Sequence, residues 1–191
     1  MRLVCLVEGQ GEVGAYRCSF AVSHPNVVAK TVRVKKDRFL KPGQVEHEPA
    51  VAGELAGEGG AILILLDADK DCPAKLGPAI EERARKARSD RPVLVALAKA
   101  EFECWFLAAA VSLRGKRGLP PGLDPPTDPE SVRGAKEWIK SRAGRYSPAV
   151  DQPAFAQIFD FEEARRNSPS FARFERRLRE LTALPDPPPM Q

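Results

Sequence analysis

The sequence predicts an α/β fold, with a mostly parallel four-strand sheet lying between helices and a C-terminal helical extension after it. Three observations predict it. Short apolar runs recur at residues 2–7, 61–66 and 92–98, as expected of strands buried on both faces. Helical patterns separate these runs, and strand–helix alternation marks a layered α/β domain with right-handed crossovers. Beyond residue 111 the strand patterns stop, and helical patterns follow a segment dense in Pro and Gly.

Taken in order, residues 2–7 form the first strand and residues 11–22 a helix weakened by Gly11 and Gly14. Val27 to Val34 alternates and is rich in β-branched residues, which makes it the second strand. Lys35 to Gln44 reads as a polar loop, and 45–57 as a weak helix. The third strand, 61–66, runs into Asp67. Pro73 and Gly77 mark the turn after it, and 78–90 reads as a charged helix with Pro78 in its first turn. Pro92 to Ala98 is the fourth strand. Glu101 to Val111 carries Phe102, Trp105, Phe106 and Leu107, which predicts a helix packed on the sheet. These elements make a core over residues 1–111. Gly115, Gly118, Pro120, Pro121, Gly122, Pro125, Pro126 and Pro129 make 112–129 a loop or linker. An extension over 130–184 holds helices at about 130–143, 151–165 and 169–183, the last begun by Ser168-Pro169. Residues 185–191 read as a disordered tail.

A chain of 191 residues suits one domain with an extension and needs no staple to hold its core. No apolar run approaches the roughly 20 residues of a bilayer span, so no membrane role is expected. Met1-Arg2 leads straight into a strand, no signal peptide is read, and a cytoplasmic location is expected. Cys5, Cys18, Cys72 and Cys104 lack paired spacing, which argues against structural zinc. Cys5 and Cys104 lie in apolar stretches, and His24 and His47 fall in expected loops. A net charge of +4 permits nucleic-acid binding without requiring it. The denser basic groups, Arg83-Arg85-Lys86-Arg88 and Arg173-Arg176-Arg177-Arg179, fall on predicted helices, as a solvated face or as a phosphate-tracking surface.

Chemistry points to the ends of the strands. The first strand ends at Glu8, the third at Asp67-Ala68-Asp69-Lys70-Asp71. Neighbouring parallel strands open their carboxyl ends into one crevice, where α/β sheets place ligands. Carboxylates crowded there repel one another, and a hard divalent cation relieves that repulsion. Asp67 and Asp69 are spaced to share a face, and Asp71 joins them or caps the turn. Glu101 and Glu103 begin at the same edge, either as acids at a helix start or as further contributors to the crevice. Lys70, beside the acids, is a candidate phosphate contact. Gly9-Gln10-Gly11-Glu12-Val13-Gly14 matches the dinucleotide fingerprint, but Glu8 and Glu12 would crowd an anionic pyrophosphate. No Walker loop occurs, and an aspartyl-phosphate phosphatase would carry its Asp-x-Asp after the first strand rather than the third.

The Glu-Gly turn after strand one, the Asp-x-Asp after strand three and the four-strand core together resemble the TOPRIM domain of topoisomerases, primases and overcoming-lysogenization-defect (OLD) family nucleases. The closer likeness is to a bacterial TOPRIM-like family, domain of unknown function 4276. It is carried by Val7-Glu8-Gly9-Gln10-Gly11-Glu12, Leu65 to Asp71 and Ala100-Glu101-Phe102-Glu103-Cys104-Trp105-Phe106-Leu107-Ala108. Tyr146-Ser147-Pro148 and Ser168-Pro169-Ser170-Phe171 extend it, and it covers most of residues 1–183. The resemblance implies a Mg²⁺- or Mn²⁺-dependent nuclease with Glu8, Asp67 and Asp69 on the metal. Glu12, Asp71 and Glu101 would be further metal candidates, and Glu103 a further catalytic one. It also implies nucleic acid as substrate, an ATPase partner protein and a role in phage defence. Two other readings are open to the sequence. One is a non-catalytic regulatory subunit docking on an ATPase through an exposed face of Phe155, Phe159, Phe171 and Phe174. The other is a Rossmann-type dinucleotide enzyme. Tyr16 and Tyr146 are the only tyrosines, and neither has the setting of a covalent nucleophile.

Overall fold

Each strand of the sheet feeds two cores, because successive side chains point to opposite faces. The computed structural model describes residues 1–15, 26–41 and 43–182. Strands β1 (Arg2–Val7), β2 (Val28–Arg33), β3 (Ala61–Asp67) and β4 (Val93–Ala98) form one parallel sheet in the order β2-β1-β3-β4. The register sets Val7 beside Leu65 and Asp67 beside Ala98, so the three strand ends lie on one edge. On one face Val4, Leu6, Ile62, Ile64 and Val95 pack against Phe39 of α2 (Asp37–Leu40), α3 (Gln44–Ala56) and α4 (Pro73–Ala87). On the other, Leu3, Cys5, Leu63, Leu65 and Leu94 pack against Trp105 and Phe106 of α5 (Cys104–Ala108) and the C-terminal helices. Covering both faces is what makes β1, β3 and β4 continuously apolar. β2, at one edge, is only partly buried.

The C-terminal region comprises a 3₁₀ turn (Pro129–Ser131), α6 (Ala135–Ala143), α7 (Pro148–Ala156), α8 (Phe161–Asn167) and α9 (Pro169–Thr182). Its aromatic side chains complete the second core. Trp105 stacks on Phe174 at 5.0 Å and meets Phe171 edge-on, and Phe106 meets Phe155 and Phe159. Phe155, Phe159, Phe171 and Phe174 are all buried, so the exposed apolar face weighed for a docking subunit is absent at those residues.

Several boundaries differ from the sequence reading. β3 runs one residue further and ends on Asp67 itself. The polar loop after β2 contains α2, whose Phe39 is buried. His47 lies on α3 rather than in a loop. α4 begins at Pro73, five residues before the predicted start. The helix read over 101–111 is shorter, and tight turns continue it to Lys116. Segment 112–129 is no loose linker, because Leu113, Leu119 and Leu123 are buried in the second core. The pattern over 151–165 divides into α7 and α8 at Asp160, whose side chain caps α8 by accepting from Glu163 N–H. A helix after β1, α1, is described over residues 10–15. The rest of that predicted helix, with Tyr16 and Cys18, lies outside the described residues, as do His24 and the tail 185–191. Cys5 and Cys104 are buried thiols, as read.

The two basic groups prove largely ion-paired. Arg83 meets Glu46, Arg85 meets Glu81, Lys86 meets Glu82, and Arg88 meets Glu54 and Asp90. On α9, Arg176, Arg177 and Arg179 pair with Glu180, Glu81 and Glu175. No helix among the described residues is long and apolar enough to cross a membrane.

Candidate functional site: an acidic crevice at the carboxyl edge of the sheet

β1 delivers Glu8 to the edge and β3 delivers Asp67, with Ala68 to Asp71 turning over the top. The two turns at the ends of β3 and β4 are tied together: Ala68 N–H donates to Ala98 O and Asp69 N–H to Ala100 O, both at 2.9 Å. Asp69 (φ 52°) and Ala100 (φ 65°) both adopt the left-handed conformation, which costs a residue with a Cβ free energy and is concentrated at functional sites. The Asp67 side chain is fixed by the Phe102 amide, which donates to Oδ1 at 2.7 Å.

Two lysines stand among the acids. Lys36, which follows β2, places its Nζ 2.8 Å from Asp69, 3.1 Å from Asp71 and 3.3 Å from Ala68 O. Lys136, in the first turn of α6, places its Nζ 3.9 Å from Asp67, 3.7 Å from Glu101 and 3.6 Å from Glu103. Glu103 is fully buried, and its Oε1 accepts from Tyr146 Oη at 3.0 Å and from Gln152 Nε2 at 2.6 Å. Its Oε2, like Oε2 of Glu8, is buried and accepts no hydrogen bond.

Glu12 has a different task. Its Oε2 accepts from the Glu8 amide at 3.2 Å, closing the first turn of α1 as a helix cap. A Cβ on Gly9 would come within 2.7 Å of its Oε1, so glycine is what admits this close return. The other glycines of the fingerprint are covered by α7: a Cβ on Gly11 would overlap Pro148 and Gln152, and one on Gly14 would overlap Pro153. The protein's own helix fills the space a pyrophosphate would need.

Burial and mutual repulsion load the cluster. Burial raises the Glu8 carboxyl above its usual range, and Asp69 adds to it. Glu12 is pushed up to about 7, by burial first and by Glu103 next, against the opposing amides of Gly9 and Glu8. Asp67 is held well above the ordinary range by burial and by Glu12, with Lys136 opposing. Burial likewise raises Glu103, partly offset by Lys136. Burial works to lower Lys136, but Glu103, Asp67 and Glu101 outweigh it and keep the ammonium charged.

The predicted site residues therefore gather at one edge, with roles that divide. Glu8, Asp67, Asp69, Glu101 and Glu103 share the crevice, Asp71 sits at its rim against Lys36, and Glu12 is spent on the backbone. Lys70 is exposed, and the lysines that touch the acids are Lys36 and Lys136. Sequence reasoning missed both, together with Tyr146 and Gln152. Lys36 could have been found, because it follows β2 at the same carboxyl edge. Lys136 comes from a helix beyond the sheet, where no spacing announces it.

The donor set is all oxygen and suits a hard cation such as Mg²⁺. The Oε2 atom of Glu8, buried without a hydrogen bond, is the structural mark of that fit, since buried polar atoms are otherwise almost always satisfied, whereas Oε2 of Glu103 faces the Lys136 ammonium. As the side chains stand, no three His, Cys, Asp or Glu among the described residues are grouped to hold one ion. The acids close on lysines instead.

The family described as Domain of unknown function (DUF4276) matches residues 7–179. The chain belongs to that family. The DUF4276 match begins just before Glu8 and ends in α9, so it takes in every acid and both lysines of the crevice. No curated protein and no solved structure matches this DUF4276 chain.

Proposed function

We propose that this chain is a Mg²⁺- or Mn²⁺-dependent nuclease of TOPRIM type that hydrolyses phosphodiester bonds. One observation carries the reading: acids from the ends of three strands meet in one crevice, with a buried oxygen of Glu8 left without a hydrogen bond. Glu8, Asp67 and Asp69 would hold the cation, which when bound acidifies water and shields a phosphate. The chain's own groups set the stage. The Phe102 amide orients Asp67, Lys36 holds Asp69 and Asp71 in place, and Tyr146 and Gln152 orient Glu103.

A neighbouring cleft of about 310 Å³ supports a polyanionic substrate. Lys99 and Arg173 line it, together with Glu130 and with Arg177, whose guanidinium is held by Glu81, and Lys99 lies between the two residues that bond the Asp67–Asp69 turn. Cations along such a path would hold phosphates flanking the scissile one. The kinship to OLD-type nucleases, the ATPase partner and the role in phage defence rest on the sequence resemblance.

The test is incubation with plasmid, single-stranded DNA and RNA in Mg²⁺, Mn²⁺ or EDTA, with and without an ATPase encoded alongside. Cleavage is expected with metal, none in EDTA, and a loss of at least about 100-fold in the Asp67→Asn, Asp69→Asn double variant. Cleavage undiminished in that variant would overturn the assignment.

A further inference from the structure

The outer edge of β4 is covered over Val93 and Val95 and open at Leu97. Pro92 O and Ala98 O accept from Ile62 and Ala68 N–H, so even-numbered residues face β3 and odd-numbered ones turn their main-chain groups outward. Arg85 covers Val93 O, while Glu81 and Arg177 cover the N–H and C=O of Val95. The N–H and C=O of Leu97 meet no partner among the described residues, although Leu97 is only 9% exposed. Buried main-chain groups are nearly always paired, so this donor–acceptor pair stands out. Leu97 lies on the floor of the 310 Å³ cleft, between the starts of α4 and α9. Lys99 and Arg173 line the same cleft, both are exposed, and no acid among the described residues holds either. Glu130 lines it too, with its Oε1 committed to Ser168 Oγ and Ser170 N–H.

We infer that this cleft binds a nucleotide, with the hydrogen-bonding edge of its base on Leu97 and its phosphate on Lys99 and Arg173. A peptide strand would need successive main-chain pairs, and the side chains over Val93 and Val95 leave it only one. A base edge offers a donor beside an acceptor and needs no more. Val95, Leu97 and Phe174 give the cleft an apolar lining for the faces of the base. Its volume is at the lower end of small-ligand sites, room for one nucleotide and not for a duplex. The Glu130 carboxylate repels a phosphate from its side and leaves Lys99 and Arg173 to take it. A nucleotide seated here is either free or one unit of a strand that continues to the acidic crevice, and only the second case rests on the nuclease reading above.

Calorimetric titration of the full chain in EDTA tests it, with the four deoxynucleoside monophosphates, short single-stranded homopolymers, deoxyribose 5-phosphate and inorganic phosphate as probes. At least one nucleotide or homopolymer is expected to bind, and the two probes without a base are not. Lys99→Ala and Arg173→Ala are each expected to weaken that binding at least about 10-fold. Lys41→Ala, which removes an equal charge at the end of α2, is expected to leave it within about 2-fold. Binding of a monophosphate assigns the cleft to free nucleotides and binding of homopolymers alone assigns it to a strand, and either result supports the inference. Phosphate binding as tightly as any nucleotide, equal losses in all three variants, or no binding at all would overturn it. Should a variant fail to fold, the comparison of probes on the wild type still decides. EDTA keeps cleavage out of the readout: a chain that binds but never cuts with metal defeats the nuclease reading alone, and one that cuts but fails these titrations defeats this inference alone.

Discussion

Glu12 shows how one side chain can serve the backbone at an electrostatic cost. It is 4% exposed and lies against Glu103 and Glu8, and its carboxyl is pushed up to about 7. A folded-state value above the unfolded one means that the native chain binds the extra proton. The stability this supplies is complete below about 4.5 and is lost as pH rises through about 7. The loss amounts to about 3 kcal/mol for an isolated group. Glu12→Gln retains an oxygen for the Glu8 amide and carries no charge. The variant is expected to match the wild type near pH 4.5 and to exceed it by about 2–3 kcal/mol at pH 8 without metal, by urea denaturation. An equal gap between the two proteins at both pH values would show that Glu12 is not the group that titrates. From sequence alone Glu12 is given only a metal role; its position three residues after Gly9 is the spacing that lets it cap the helix instead.

β4 is an edge strand, and side chains rather than another strand satisfy its outer side. Val95 N–H donates to Glu81 Oε2 at 2.9 Å, Arg177 Nη1 donates to Val95 O at 3.1 Å, and Arg177 Nη2 meets both Glu81 oxygens at 2.8 Å. Arg85 covers Val93 O in the same way. An α4–α9 ion pair thus mimics the ladder of a fifth strand and closes an edge that would otherwise recruit other chains. Arg177→Ala is expected to cost about 2 kcal/mol in urea, because Arg85 still reaches Glu81, and to promote concentration-dependent self-association in size-exclusion chromatography. A variant as stable and as monodisperse as the wild type would dismiss that role. The helices that build this device were the harder elements to read. Continuous apolar runs marked β1, β3 and β4 because both of their faces are covered. The start of α4 at Cys72-Pro73 was signalled by a proline taken for a turn. The break between α7 and α8 was signalled by Asp160-Phe161-Glu162-Glu163, a cap lost in a longer periodic pattern.

The order of the strands and the acids at their ends were legible because local sequence carries them. The packing of the C-terminal region was less so, because Pro and Gly over 112–129 imitate a linker while Leu113, Leu119 and Leu123 are in fact core. Lys136 was illegible for the same reason: only the docking of α6 on the sheet edge brings it to the acids. That docking makes residues 130–182 part of the folding unit. Trp105 and Phe106, both about 1% exposed, have Phe155, Phe159, Phe171 and Phe174 as their neighbours, and each aromatic buries on the order of 150–250 Å². Removing the helices would bare one whole face of the sheet and leave the buried Glu103 without Tyr146, Gln152 and Lys136. A chain ending at residue 111 is therefore expected to show no cooperative thermal melt and to aggregate, and the full chain to unfold in a single transition by calorimetry. A cooperative melt of the truncated chain, or two separable transitions in the full one, would mean that the sheet and the helices fold independently. The crevice between them would then be a junction of two domains rather than the interior edge of one.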